Sequence, residues 1–206
     1  MREDTFFALL LRMKYIQRWG LMRSNIPENL SEHSLETAVV AHALAMIDNT
    51  YFGAQAPAEH IACAALFHDA SEILTGDLPT PVKYNNPAIR DAYKSIESAA
   101  RESLLCTAPR ALEQAYRPLL FCEEQEPQVY RYIKAADKIC AYIKCVQEGK
   151  SGNDEFESAA RQLQGAIDAL DFPAAAYFME HFAPAFALTL DEQQGQAAPE
   201  RGAGGR

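Results

Sequence analysis

Ala62-Cys63-Ala64-Ala65-Leu66-Phe67-His68-Asp69-Ala70-Ser71-Glu72 begins with six small or apolar residues and ends with three titratable ones. On an α-helix each residue advances by ~100°, so a helix here would be apolar on most sides. Pro57 suits the first helical position, and the pattern predicts a helix from there to Leu74. That helix puts Glu72 on the face of both His68 (i+4) and Asp69 (i+3). His68 and Asp69 diverge by one step but still reach a common point beside the helix. Three polar groups at the end of a packed helix need one another or a metal.

Working outward, the chain reads as helix after helix. Phe6, Leu9, Leu10, Met13 and Ile16 recur at helical spacing, and a polar turn runs from Gly20 to Asn29. Ser31 serves as an expected N-cap with Glu32 in the first turn, and the helix it opens extends to about Asn49. Gly76 and the Pro79/Pro81 pair stop the central helix and begin a rigid loop. Further helices are expected from Pro87 to about Leu105, from Pro109, from about Gln128 to Glu148, from about Phe156 to Leu170, and from Pro173 to about Phe182. No segment alternates with period two between turn signals. The expected fold is all-α: one helical domain over residues 1–190, with a Gln-, Ala-, Gly- and Pro-rich tail over 191–206 expected to be disordered.

The 206 residues suffice for one well-filled domain, and no apolar run approaches the ~20 residues of a membrane span. The segment Thr5–Leu11 is preceded by acids, followed by Arg12 and Lys14, and lacks a small-residue cleavage site, so it reads as a helix rather than a leader. Five cysteines without a CxxC pair exclude a disulfide framework or thiolate knuckle; all five read as buried packing residues in a cytoplasmic protein. A net charge of −9 excludes a broad nucleic-acid surface. It also means that an anionic substrate here would need a metal ion and a few placed cations.

An isolated His-Asp pair carries little weight, so partners decide. His33 follows a helix start, where ligands are easily presented. His42 is nine residues further on, ~180° around the same helix, and cannot share a centre with His33. It sits among Val39, Val40, Ala41 and Ala43 and reads as a core or interface residue, while His60 and His181 read as surface or packing residues. Asp137, in the strongly helical stretch Lys134–Ile143, reads either as an ion-pair partner of Lys134 or Lys138 or as a ligand. Beside His33 and His68-Asp69 the ligand reading wins. Two imidazoles and two carboxylates suit a first-row transition ion: Co2+ or Mn2+, with Zn2+, Ni2+, Cu2+ and Fe2+ also compatible. On an ion of about six coordination positions they leave places for water and a substrate oxygen, which marks a catalytic site.

His33, His68-Asp69 and Asp137 on separate helices resemble the HD superfamily of metal-dependent phosphohydrolases. The likeness is closer still. Ile16-Gln17-Arg18-Trp19, Leu30-Ser31-Glu32-His33-Ser34, His68-Asp69-Ala70-Ser71-Glu72, the run from Leu74 to Tyr84, and Ala136-Asp137 together resemble the bacterial YfbR-type 5′-deoxynucleotidases. The resemblance implies release of phosphate from 2′-deoxyribonucleoside 5′-monophosphates by a homodimeric cytoplasmic protein carrying a divalent ion. It implies that His33, His68, Asp69 and Asp137 hold the metal, and that Arg18 orients the phosphate while Trp19 lines the sugar. The resemblance further implies that Asp77, Leu78, Pro79 and Thr80 bind the nucleotide, with His33, Asp69 and Asp137 also facing it.

In this scheme Arg18 supplies a planar, permanently charged fork, and Glu72 takes or relays a water proton or, alternatively, orients His68. Asp77 either protonates the leaving 5′-oxygen or hydrogen-bonds the sugar. Rival readings are another HD-type chemistry, phosphodiester cleavage or dNTP hydrolysis, and a non-catalytic nucleotide-binding helical scaffold. Neither a membrane nor a nucleic-acid polymer is an expected partner.

Overall fold

The structure, a computed structural model, describes residues 4–83 and 85–197, with the side chains of Thr80, Gln196 and Ala197 outside that description. In chain order the helices are α1 (Phe6–Leu10), α2 (Leu30–Tyr51), α3 (Ala58–Ala65), α4 (Glu72–Thr75), α5 (Thr80–Lys83), α6 (Pro87–Leu105), α7 (Arg110–Leu120), α8 (Cys122–Gln125), α9 (Pro127–Lys150), α10 (Glu157–Asp168), α11 (Pro173–His181) and α12 (Leu190–Ala197). Short 3-10 segments follow α1 (Leu11–Tyr15), precede α10 (Asp154–Phe156) and follow α11 (Ala183–Ala187). The all-α expectation holds: among the described residues the only extended pairing is one isolated antiparallel bridge, Gln17 with Asn29. Among the described residues no helix is long and apolar enough to cross a membrane.

Two long helices, α2 and α9, organise the molecule. Their buried positions, among them Ala41, Leu44, Ile47, Ile133, Ala136 and Cys140, join Ile61 and Ala64 of α3 and Phe178 of α11 in the main core. Alanines alternate with leucine and isoleucine along these buried faces. A second, smaller cluster holds Phe6, Leu104, Leu105, Leu120 and Phe121 together with Ala70. Ala64 and Ala65 thus belong to one core and Ala70 to the other, so the segment between them crosses the boundary.

Several boundaries differ from the sequence reading. The helix expected over 57–74 breaks. Pro57 is the N-cap of α3, not its first residue, and from Leu66 the amides reach back three residues: Leu66 to Cys63, Phe67 to Ala64, His68 to Ala65, and Glu72 to Asp69. This is tight 3-10-like winding, compatible with passing from one core to the next. The α2 cap is Asn29, not Ser31: its side chain accepts from the Ser31 and Glu32 amides, and Glu32 returns a bond to the Asn29 amide. This capping box satisfies donors that Ser31 would have left open. Residues 190–197, most of which were expected in the tail, form α12; residues 198–206 lie outside the described part. Of the five cysteines Cys122, Cys140 and Cys145 are buried, whereas Cys63 and Cys106 are exposed.

Candidate active site

His33 stands on the first turn of α2 with a fully buried imidazole. Asp137 projects from the middle of α9, and His68-Asp69 come from the tightly wound segment between the cores. The His33 Nε2 atom lies 3.1 Å from Asp137 Oδ1 and 3.7 Å from Asp69 Oδ2, and His68 Nε2 lies 3.0 Å from Asp69 Oδ2. Ligand atoms of His33, His68 and Asp69 all fall within 4.8 Å of one another. Adjacent donors on a first-row ion, each ~2.0–2.2 Å from it, sit about 3 Å apart; the His33–Asp137 and His68–Asp69 pairs match that spacing, and the His33–Asp69 pair is wider at 3.7 Å.

The histidines are oriented for the same point. His68 Nδ1 meets the Ala65 carbonyl at 2.7 Å, which makes Nδ1 the protonated nitrogen and leaves Nε2 as the acceptor. That Nε2 is buried and has no hydrogen-bond partner of its own. On the chemistry of its donor set, the cluster fits a divalent ion. The Ala65 carbonyl occupies the orienting position that Glu72 had been offered for His68.

Electrostatics agrees with a cation-poor, acid-rich centre. Burial pushes the Asp69 carboxyl up, but His68, His33 and Arg18 hold it well below the usual carboxylate range. Burial likewise opposes ionisation of Asp137, yet His33 brings it down to about 2. Burial and Arg18 lower His33, while Asp137 and Glu28 outweigh them and raise it. Glu72 moves the other way. Burial, then the charges of Asp69 and Asp77, push it up to about 10. Its Oε2 is buried without a hydrogen-bond partner.

Around the cluster, Arg18 Nη1 reaches Asp69 Oδ2 at 3.5 Å and Arg18 Nε lies 3.3 Å from Glu28 Oε1. Trp19 has φ +63°, a left-handed conformation unusual for a bulky residue, and its indole edge meets the Phe156 ring at 5.2 Å. Asp77 follows Gly76, whose φ of +73° ends α4. Burial raises the Asp77 carboxyl, against the Arg18 charge and the Trp19 backbone N–H. Leu78 and Pro79 continue as a half-buried loop, with the Val82 and Lys83 amides bonded back to the Pro79 carbonyl; the Thr80 backbone opens α5. Tyr84 lies outside the described residues.

The remaining histidines stay away. His42 lines an apolar surface groove with Leu35, Val39, Cys63 and Leu66; His181 packs on Tyr177; His60, expected without a ligand-like neighbour, pairs with Glu126 at 2.5 Å.

Sequence reasoning missed Glu28. It is buried, and its two oxygens reach three site residues: Oε2 accepts from Trp19 Nε1 at 2.6 Å, and Oε1 lies 3.3 Å from both Arg18 Nε and His33 Nδ1. The polar turn hides this, because it is not a simple turn. The Arg18 amide bonds the Glu28 carbonyl at 3.0 Å and the Leu30 amide bonds the Ile16 carbonyl at 2.9 Å. Residues 16–18 and 28–30 therefore run side by side. The only sequence hint was an acid placed just before the capping Asn29.

Comparison with known proteins finds relatives along most of the chain. A family model described as 5′-deoxynucleotidase YfbR-like matches residues 5–186. A 5′-deoxynucleotidase of Vibrio vulnificus is 50% identical over 93% of this chain and 99% of its own length. The 5′-deoxynucleotidase YfbR of Escherichia coli is 47% identical over 93% of this chain and 96% of its own. Among solved structures, an HD-domain phosphohydrolase from Listeria innocua superposes with a TM-score of 0.78 at 20% identity, covering 92% of both chains. A cyanophage S-2L HD phosphohydrolase bound to dA and one catalytic Zn2+ ion gives a TM-score of 0.63 at 20% identity, over 88% of this chain and 96% of that one.

Proposed function

The chain belongs to the YfbR-like 5′-deoxynucleotidase family, and from that premise we propose that it hydrolyses 2′-deoxyribonucleoside 5′-monophosphates to deoxynucleoside and phosphate. The observation that carries the reading is the cluster of His33, His68 and Asp69 donor atoms within 4.8 Å of one another, with Asp137 Oδ1 3.1 Å from His33 Nε2 and Arg18 3.5 Å from Asp69. A divalent ion bound there supplies a lowered water pKa and a polarised phosphoryl oxygen.

The protein's own residues do the rest. Arg18, planar and always charged, presents its fork to the phosphoryl oxygens that the ligand cluster leaves free. Glu72, buried and with an unpartnered oxygen one turn from Asp69, takes or relays the proton of the attacking water; without an ion it holds a proton at neutral pH, so this role requires the charge of a bound divalent ion to favour its carboxylate form. Trp19 sets its ring against the sugar, where steric contact rejects an added hydroxyl. Asp77, near both Arg18 and the Trp19 amide, serves the leaving 5′-oxygen or the sugar. Leu78, Pro79 and Thr80 continue the nucleotide-binding wall. The abundance of carboxylates disfavours a polyanionic triphosphate.

We assign Co2+ or Mn2+ as the working ion, and a cytoplasmic location in keeping with five unpaired cysteines. The assembly we infer is a homodimer. Its support is the outer face of α2 and α3, where Leu35, Val39 and Leu66 are exposed beside Ala62 and Cys63.

The test is phosphate release from paired dAMP and AMP by metal-stripped protein reloaded with Co2+, Mn2+, Zn2+ or Mg2+. Stripped protein is expected to keep its helical circular dichroism and lose turnover, with Co2+ or Mn2+ restoring release from dAMP well above that from AMP. Equal use of the two nucleotides would refute the deoxynucleotide reading. Loss of helicity on stripping would point to a structural scaffold instead.

A further inference from the structure

Glu28 touches both halves of the site. Through Oε1 it faces His33 Nδ1, and through Oε2 it holds the Trp19 indole at 2.6 Å. We propose that Glu28 is a positioning residue that couples metal binding to sugar recognition, fixing His33 for the ion and Trp19 against the deoxyribose with one carboxylate.

The inference rests on the deoxynucleotidase reading for its sugar half and on geometry for the rest. His33 Nδ1 is buried and has no aligned hydrogen-bond partner; Glu28 Oε1, at 3.3 Å, is the acceptor within ion-pair range. Fixing Nδ1 as the protonated nitrogen makes Nε2 the ligand nitrogen: it meets Asp137 Oδ1 at 3.1 Å and the Thr37 hydroxyl at 3.4 Å and faces Asp69, contacts that an ion would replace. Trp19 needs an external hold because its backbone is left-handed. Its carbonyl accepts from the Met22 amide, its ring rests on Phe156, and Glu28 fixes the far edge of the indole. Arg18 shares Oε1, so the expected phosphate-facing cation sits on the same anchor.

A divalent ion held by His33 would make its imidazole N–H a stronger donor to Glu28, and the carboxylate that faces His33, Arg18 and Trp19 would then shift its hydrogen bonding among them. A glutamine keeps the shape but has a single acceptor oxygen and cannot serve both edges. An aspartate keeps the charge but is one methylene short of spanning them.

Trp19 is the sole tryptophan, so its emission reports this coupling directly. Zn2+, which has no redox or d-electron transitions, is titrated into metal-free protein while emission is followed, and its affinity is measured by calorimetry. In the wild type the emission change is expected to track zinc binding. Glu28→Gln should weaken zinc binding by about 10–100-fold, abolish the emission change and lower the dAMP/AMP ratio of kcat/KM; Glu28→Asp should fall between. Trp19→Phe, which removes the indole N–H and trims the ring but leaves Glu28 facing His33, should keep zinc affinity within about threefold of the wild type while losing sugar preference.

A wild-type emission blind to zinc, or a Glu28→Gln protein with weakened zinc binding but intact sugar preference, overturns the coupling. The zinc titration needs no substrate. A wild type that binds zinc with the expected emission change but does not prefer dAMP therefore refutes the proposed substrate alone, a result distinct from failure of the metal–indole link.

Discussion

Glu72 keeps one buried oxygen without a partner, in the fields of Asp69 and Asp77. If it collects the water proton, Glu72→Gln should lower kcat for dAMP by ~10²–10⁴-fold while zinc affinity stays within a few-fold. The same change should stabilise the metal-free protein at pH 7. The folded-state pKa of Glu72 lies near 10 against an ordinary 4.5, so the folded chain binds a proton that the unfolded chain releases. Stability is then lost as pH rises between those values, and a neutral amide escapes the loss. Urea midpoints in chelator, set beside phosphate release, check both halves; a variant that keeps near-full turnover removes Glu72 from the mechanism. His33, His68, Asp69 and Asp137 were legible because ligand types among apolar helical neighbours stand out. Glu28 was not legible, because its importance depends on residues 16–18 lying beside 28–30, a pairing with no hydrophobic period to announce it.

At the scale of elements, the loop carrying Arg18, Trp19 and Glu28 is anchored to the far end of α9. Glu148, fully buried, accepts from Ser24 Oγ at 2.7 Å, from the Asn25 and Ile26 amides at 2.9 Å each, from Lys144 Nζ at 2.5 Å and from Asn153 Nδ2 at 2.8 Å. Burial works against this carboxylate, but Lys144 and the Asn25, Ile26 and Asn153 donors hold it far below the usual range. A depressed folded-state pKa gives stability that is complete above about 4.5 and drains away as pH falls below it. Glu148→Ala should cost ~3–5 kcal/mol at pH 7 by stranding Lys144, and the variant should lose less stability than the wild type on acidification from pH 5 to pH 3. Chemical denaturation in chelator at those pH values decides it, and parallel pH profiles would show that Glu148 does not carry the acid sensitivity. Here the sequence was a partial guide. The ends of α6 at Pro87 and Leu105 were readable from proline and apolar spacing, whereas the break after Ala65 was not, because 3-10 winding and α-helix share the same residue types there.

The whole molecule carries a net charge of −9, so two copies repel unless they meet through an uncharged face. The outer side of α2 and α3 is such a face: Leu35 is 59% exposed, Val39 62% and Leu66 41%, and the groove they line holds only Ala38, His42, Ala62 and Cys63 besides. A patch of this kind can bind its own copy across a two-fold axis, each residue being used twice. Leu35→Glu combined with Val39→Glu then places four new negative charges at the contact, since each chain contributes two. Both side chains are exposed in the single chain, so the substitutions should leave its thermal stability within about 1 kcal/mol while abolishing association. Sedimentation equilibrium at micromolar concentration should find twice the chain mass for the wild type and the single-chain mass for the double variant. A monomeric wild type, or a variant that still pairs, sinks the assignment. Raising salt separates electrostatics from packing in the same experiment. Screening over ~8 Å at physiological ionic strength eases the general repulsion and tightens the wild-type dimer, but it cannot recover the apolar area that the two glutamates remove.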